Sequence, residues 1–191
     1  MTDKQLVQRT LTGDRTAFGT LAGRYHTAIY NFILKMVQDR QDAADICQTV
    51  FLKAWSALIT LQNQEQFIPW LYRIARNQVL DQQRVSQRAA RKFDIQEPPA
   101  LDRFISETDS PESQYEADFR CRIVKSALAQ LPDEQREVLV LKVYQGLKFT
   151  EIAEVIQTPV NTVKSRLYYS FRNLRRIFKK WNMEEFIQDE L

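Results

Sequence analysis

The chain has 191 residues, of which 44% are hydrophobic, 27% charged and 11% aromatic, with a formal net charge of +3. These values are ordinary for soluble globular proteins and exclude wholesale disorder. The sequence shows neither a run of about 18 apolar residues nor an apolar leader, so we expect a cytoplasmic protein. Glycines and prolines are few, and alternating strand patterns are nearly absent, which predicts an all-α fold.

Successive amphipathic helices, separated by short polar breaks, are predicted from residue 3 to about residue 90. In residues 16–37, Leu21, Ile29 and Phe32 belong to one stripe at helical spacing, which predicts a buried face. The next helix, residues 42–58, carries Asp42 and Asp45 away from its own apolar stripe. This helix therefore has a core face and a chemically distinct outer face.

The last of these segments is a long helix with a polar cluster near its beginning. Arg73, Arg76 and Asn77 stand at i, i+3 and i+4, next to Trp70 and Tyr72. Basic groups bind phosphates and aromatic faces stack on unpaired bases, so the cluster suits melted or single-stranded DNA. A purely structural role for the two aromatic residues is equally compatible with their spacing.

The helical pattern stops after this segment and resumes some 25 residues later. Residues 93–118 contain eight acidic side chains against Arg103, together with Pro98, Pro99 and Pro111. We predict a domain at 1–92, an extended acidic linker at 93–117, a second domain of four helices at 118–181, and a short acidic tail at 182–191.

The second domain ends in a predicted helix-turn-helix. Thr150 is expected to cap a helix over 151–156. Thr158, which is followed by Pro159, is expected to cap the next helix, with about three residues between the two helices. Gln157 occupies the turn where glycine would fit a left-handed backbone best. Gly146 is expected to end the preceding helix.

The last helix is strongly basic. Residues 161–181 hold seven basic side chains and no acidic one. A helix that is merely solvated usually mixes charges of both signs, so this pattern favours DNA contact over a plain wet face. The predicted contacts near its beginning are Asn161, Thr162, Lys164, Ser165, Arg166, Tyr168 and Arg172.

Residues with catalytic or metal-binding potential are sparse. Cys47 and Cys121 lie far apart without a CxxC motif, so neither a zinc site nor a disulfide is predicted, and we expect buried, reduced thiols. The single histidine, His26, lies in an apolar helix where a core or surface role is favoured over catalysis. With no phosphate loop or catalytic triad pattern, we expect a protein that is not an enzyme and needs no cofactor.

Three segments in order resemble bacterial sigma factors of the small extracytoplasmic-function type, which keep the second and fourth regions of the larger family. "DAADICQTVFLKAW" resembles the polymerase-binding part of the second region. "FIPWLYRIARNQVLDQQR" resembles its promoter-melting part. "LPDEQREVLVLKVYQGLKFTEIAEVIQTPVNTVKSRLYYSFRNLRR" resembles the whole fourth region.

The resemblance implies partners and residue roles. The outer face of the helix over residues 42–58 would dock on the clamp helices of the polymerase β′ subunit through Asp42, Asp45, Gln48 and Phe51. The second domain would meet the β flap. The second domain would recognise the −35 element as duplex. The −10 element would be melted and held by Asn63, Gln64, Trp70, Arg73, Arg76 and Asn77.

The resemblance also implies a path for the linker and a regulator. The acidic linker would thread polymerase channels otherwise used by nucleic acid, and an anti-sigma factor would hold the protein inactive. A stand-alone regulator with an N-terminal sensor domain is the alternative, since many regulators end in a similar helix-turn-helix. The first two quoted segments discriminate the two, because a sensor domain has no need of both.

Overall fold

A computed structural model describes residues 1–93 and 112–183, with side chains for 1–85 and 119–183. The α-helices of these residues are α1 (Asp3–Leu11), α2 (Arg15–Val37), α3 (Arg40–Ala57), α4 (Phe67–Phe93), α5 (Glu112–Ala129), α6 (Asp133–Leu139), α7 (Phe149–Ile156) and α8 (Val160–Lys180). Two 3₁₀ turns, Leu58–Thr60 and Gln64–Gln66, join α3 to α4, and a π-helical turn, Val140–Tyr144, continues α6. The described residues form no strand, which confirms the all-α prediction.

The first domain packs α1 to α4 around a common core. Leu21, Ile29 and Phe32 are fully buried on α2, as their spacing predicts. The core stripe of α3 is likewise buried, which leaves its outer face free of the core. The Asp14 carboxylate caps α2 by accepting hydrogen bonds from the amides of Thr16 and Ala17.

The second domain contains the four predicted helices, α5 to α8. Buried side chains of α5, α6 and α8, including Ile123, Leu139 and Phe178, form a core of their own. Helix α5 begins at Glu112, within the segment predicted as linker. Residues 94–111 and 184–191, which contain most of the predicted linker and tail, lie outside the described residues.

The turns around α7 differ in detail from the sequence prediction. Helix α7 begins at Phe149, so Thr150 is inside its first turn, and the Glu151 carboxylate accepts a hydrogen bond from the Lys148 amide at 2.6 Å instead. The Thr158 hydroxyl donates backwards to the Ile156 carbonyl and makes no cap for α8. The prediction that the two threonines act as caps is therefore wrong.

Two predicted backbone features of the same domain are confirmed. Gln157 is left-handed, with φ of 53° and ψ of 51°, and three residues separate α7 from α8. Gly146 also has a positive φ, 68°, where the π-helical turn ends. A residue other than glycine therefore carries the strained position of the helix-turn-helix.

The two domains pack against each other. Helix α4 contacts α7, and α2 contacts both α6 and the π-helical turn. One continuous cluster of buried residues includes Phe32 and Leu71 of the first domain together with Leu141 and Ile152 of the second. We call this arrangement of the two domains the closed form.

The two cysteines differ in exposure. Cys47 is buried on α3, but Cys121 is exposed on α5, so the expectation that both are buried is wrong for Cys121. Its position on the third turn of a helix with few packing partners leaves the thiol in solvent. Within the described ranges, none of the helices is long and apolar enough to cross a membrane.

Candidate nucleic-acid interface

The outward face of α8 is fixed by what the helix buries. Val163, Ser170, Ile177 and Phe178 face the core. Five of the seven predicted contacts are exposed, and Thr162 and Arg166 are half-buried. We call the seven side chains the −35 surface; all of them lie on one helix, six in its first half and Arg172 just beyond its middle.

Two cations of this region lie over one aromatic ring. Lys164 Nζ is 5.8 Å from the centroid of the Phe149 ring, and Lys142 Nζ is 4.8 Å from the same centroid. Cation–π attraction at such distances holds an ammonium group in place without neutralising it. Phe149 of α7 thus orients Lys164 at the beginning of α8.

Arg166 is paired with an acid of the same domain. Its Nη2 is 2.7 Å from Glu134 Oε2, with side-chain exposures of 22% and 69%. The Tyr168 ring packs edge to face against Tyr169, with centroids 5.6 Å apart, and both are exposed. Tyr169 was missed by sequence reasoning, although its place next to Tyr168 and off the apolar stripe was a usable signal.

The second candidate surface is a polar groove where the 3₁₀ turns meet α4. This −10 groove has a volume of about 350 Å³ and is lined by Thr60, Leu61, Gln62, Asn63, Gln66, Pro69, Trp70, Arg73 and Glu154. Asn63 is exposed, and its Oδ1 accepts a hydrogen bond from the Glu65 amide at 3.0 Å. Of the six residues predicted to act at −10, the groove contains Asn63, Trp70 and Arg73.

Trp70 lies mainly in the core. It is 7% exposed, and its ring centroid is 5.9 Å from that of Phe67. Tyr72 is also buried and packs edge to face on Phe32. In the closed form so little of Trp70 is exposed that stacking of a base on its face would require the groove to widen.

Arg76 and Asn77 lie one turn beyond Arg73 on α4, and Arg76 is engaged by the second domain. Its Nε donates to Glu137 Oε1 at 2.6 Å. Burial raises the pKa of Glu137 above its ordinary value, against the opposing effect of the Arg76 guanidinium. Asn77 is exposed, and Gln64 is half-buried as the first residue of the second 3₁₀ turn.

A third surface lies between α2 and α3 of the first domain. This α2–α3 groove, of about 490 Å³, is lined by Phe18, Ala22, His26, Tyr30, Ala44, Cys47, Gln48, Phe51, Leu52 and Trp55. The His26 ring stacks on Phe51 with centroids 5.9 Å apart. Gln48 and Phe51 thus lie where the sequence predicts a docking face, with Asp42 and Asp45 at the N-terminal end of α3.

Sequence reasoning missed two large side chains of this groove. Leu52 is 64% exposed and Trp55 41% exposed. Both lie off the buried stripe of α3, and this offset was the signal in the sequence that could have identified them. Exposed apolar side chains gathered in a groove are typical of a surface that binds another protein.

The chain is a two-domain helical protein with a helix-turn-helix whose second helix is basic and free of carboxylates. These features together define the class of DNA-binding proteins that act in transcription. Family models agree. Residues 21–89 match Sigma-70 region 2, and residues 121–174 match Sigma-70, region 4.

Curated relatives and solved structures extend the match to most of the chain. The chain is 35% identical over 170 residues to the RNA polymerase sigma-H factor of Pseudomonas aeruginosa, covering 87% of this chain and 88% of that one. It is 31% identical over 173 residues to the ECF RNA polymerase sigma-E factor of Escherichia coli K12, covering 88% and 90%. CnrH, solved in complex with the cytosolic domain of CnrY, has a TM-score of 0.70 at 25% identity, covering 93% and 97%.

A second solved structure has the same fold. The sigma factor RpoE in complex with the anti-sigma factor NepR from Bartonella quintana also has a TM-score of 0.70, at 22% identity, covering 85% of this chain and 96% of that one. The chain belongs to the sigma-70 family and is an RNA polymerase sigma factor of the extracytoplasmic-function type. The alternative, a regulator with an N-terminal sensor domain, is excluded because residues 21–89 match Sigma-70 region 2.

Proposed function

We propose that this sigma factor binds core RNA polymerase and contacts promoter DNA at two points, through the −35 surface and the −10 groove. The −35 surface is the observation that carries the proposal. Its side chains are hydrogen-bond donors and cations on a helix whose other face is buried, and all except Arg172 lie in the N-terminal half of that helix. In a helix-turn-helix this is the part that enters the major groove and contacts base edges.

The −10 groove and the polar side of α4 would act on melted DNA. Arg73, Arg76 and Asn77 offer donors to phosphates, and the groove next to them has the size of a small-molecule site. Capture of unstacked bases, at about 1–3 kcal/mol per base, would supply the melting energy. No bond is made or broken by the protein itself in this role.

The α2–α3 groove would dock on the polymerase β′ clamp helices. Exposed Leu52 and Trp55 next to Gln48 and Phe51 provide an apolar centre, and Asp42 and Asp45 provide charge beside it. The second domain would contact the β flap. An anti-sigma factor is a further proposed partner, since the same fold occurs in a sigma factor solved with one.

Run-off transcription with core polymerase on a promoter library tests the proposal. Promoter-selective initiation that depends on this chain is the expected result. Selected promoters should share an upstream element that requires α8 and a downstream element that requires the −10 groove. Co-purification of the chain with polymerase but uniform initiation across the library would contradict it.

A further inference from the structure

The exposed face of α8 continues well beyond the −35 surface. Helix α8 buries Val163, Ser170 and Ile177, which recur every seven residues and so lie on one side of the helix. On the opposite side, a line of exposed side chains recurs every three or four residues: Asn161, Lys164, Tyr168, Arg172, Arg175 and Lys179. We call this line the α8 stripe. Its last two members, Arg175 and Lys179, lie outside the −35 surface, and we call them the distal cations.

The second half of α8 is packed on the core of the second domain. Ile177 and Phe178 are buried in that core. Asn173 Nδ2 donates to Gln135 Oε1 at 2.7 Å, which attaches α8 to α6 beyond the middle of α8. The distal cations are therefore carried by a helix whose position is fixed by packing on both sides of them.

The α8 stripe is cationic along most of its length. Lys164, Arg172 and the distal cations give it four positive charges. Among the ion pairs that join described residues, the one that involves α8 is the pair of Arg166 with Glu134, and Arg166 is not part of the stripe. Each distal cation follows the preceding cation of the stripe by three or four residues, a spacing at which like charges repel. A line of cations of this kind favours an anionic partner.

The α8 stripe is also longer than the major groove of B-DNA is wide. From Asn161 to Lys179 it extends about 27 Å along the helix axis, at about 1.5 Å per residue. The major groove is about 12 Å wide. A straight helix cannot follow the curved groove over such a length, so when its first half lies in the groove its end approaches the backbone beside the groove. The distal cations would meet phosphates there.

We propose that the distal cations bind backbone phosphates of the duplex next to the −35 element, whatever its base sequence. This inference rests on the proposed function, because it takes the first half of α8 as the part that enters the major groove. It adds a surface that supplies affinity and orientation without specificity, since phosphate contacts carry no direct sequence information.

The test variant combines Arg175→Gln with Lys179→Gln, which removes both distal charges and keeps the side chains polar. The matched control combines Arg176→Gln with Lys180→Gln. These residues are exposed in the same half of α8, but each lies one position further along, about 100° around the axis from the stripe. All four positions are exposed, so the thermal unfolding midpoints of both variants should equal that of the parent.

Binding is measured with the holoenzyme formed from core polymerase and the full chain, on a promoter taken from the run-off selection. Two duplexes have the same sequence, but in one of them the linkages on both sides of the −35 element are uncharged methylphosphonates. A third duplex keeps all phosphates and has different bases beside the element. Dissociation constants are determined at several salt concentrations.

The parent and the control variant should lose affinity when the flanking linkages are neutral, by a factor at least about fivefold larger than the test variant does. On the fully charged duplex, the affinity of the test variant should fall less steeply with salt. Its slope of log affinity against log salt concentration should be smaller than that of the control by about 1.8, because each phosphate contact contributes about 0.9. The third duplex should bind each protein as the first does.

Three results would overturn the proposal. One is an equal slope and an equal loss of affinity in the test and control variants. Another is a test variant that binds DNA as the control does but associates more weakly with core polymerase, because its cations would then face a protein. The last is weaker binding of the parent to the third duplex, which would mean that bases are read beside the −35 element.

Failure of the proposed function would be seen separately. If scrambling the −35 element itself leaves the affinity of the parent unchanged, the −35 surface does not read that element and the proposed function fails. The salt slopes would then still report whether the distal cations bind phosphate. If scrambling weakens binding but the two variants behave alike, the proposed function stands and the inference about the distal cations fails alone.

Discussion

Replacement of Arg166 by alanine tests recognition of the −35 element directly. The Arg166 side chain is 22% exposed and pairs with Glu134, which is 69% exposed. An ion pair with so exposed a partner stabilises the fold by at most about 1 kcal/mol, so folding should survive the change. A lost base-edge contact costs about 1–3 kcal/mol, which corresponds to a loss of about 5- to 150-fold in promoter affinity.

The assay is run-off transcription with core polymerase on two templates that differ only in the −35 element. Arg166→Ala should lower transcription on the template with an intact element and have little effect on the other. Arg176→Ala is the matched control, because it is exposed on the same helix about 15 Å further along the axis. A competition assay for core polymerase should give the same affinity for all three proteins.

Two results would refute the reasoning about Arg166. An equal loss on both templates would mean that the arginine acts on polymerase or on folding and not on the −35 element. A loss of thermal stability larger than that of Arg176→Ala by several degrees would mean that the pair with Glu134 matters more to the fold than its exposure indicates.

Three further predictions concern stability and docking. Gln157→Gly should raise the free energy of unfolding by about 0.5–1 kcal/mol in denaturant titration, because glycine adopts the left-handed backbone without strain; no gain would contradict this. Burial raises the pKa of the Glu137 carboxyl in the folded chain above its ordinary value of 4.5, which applies to the unfolded chain. At a pH between these two values, the folded chain holds a proton that the unfolded chain has released. Stability should therefore fall as pH rises through the interval between those two pKa values, and Glu137→Gln should remove that fall when unfolding is measured across it. Leu52→Asp should weaken polymerase binding at least about fivefold in a competition assay, whereas Ile59→Asp, 82% exposed and outside the α2–α3 groove, should not; equal effects would argue against the groove.

Periodic burial was predictable from the sequence. The stripe of α2 that includes Leu21, Ile29 and Phe32 is buried as its spacing requires, because only one side of an amphipathic helix meets the core. The positive φ of Gly146 and the strained Gln157 were likewise predictable, since the chain must reverse direction at both places. Local chemistry decides these features, and local sequence contains it.

Partners between distant elements were not predictable. Nothing around Arg76 in the sequence indicates Glu137, and nothing around Gln66 indicates Glu154, because helical spacing specifies faces and not which faces meet. The caps of α7 and α8 were missed for a related reason. Thr150 has the right chemistry, but the Glu151 carboxylate already accepts the hydrogen bond of the Lys148 amide, so the helix begins two residues earlier than predicted.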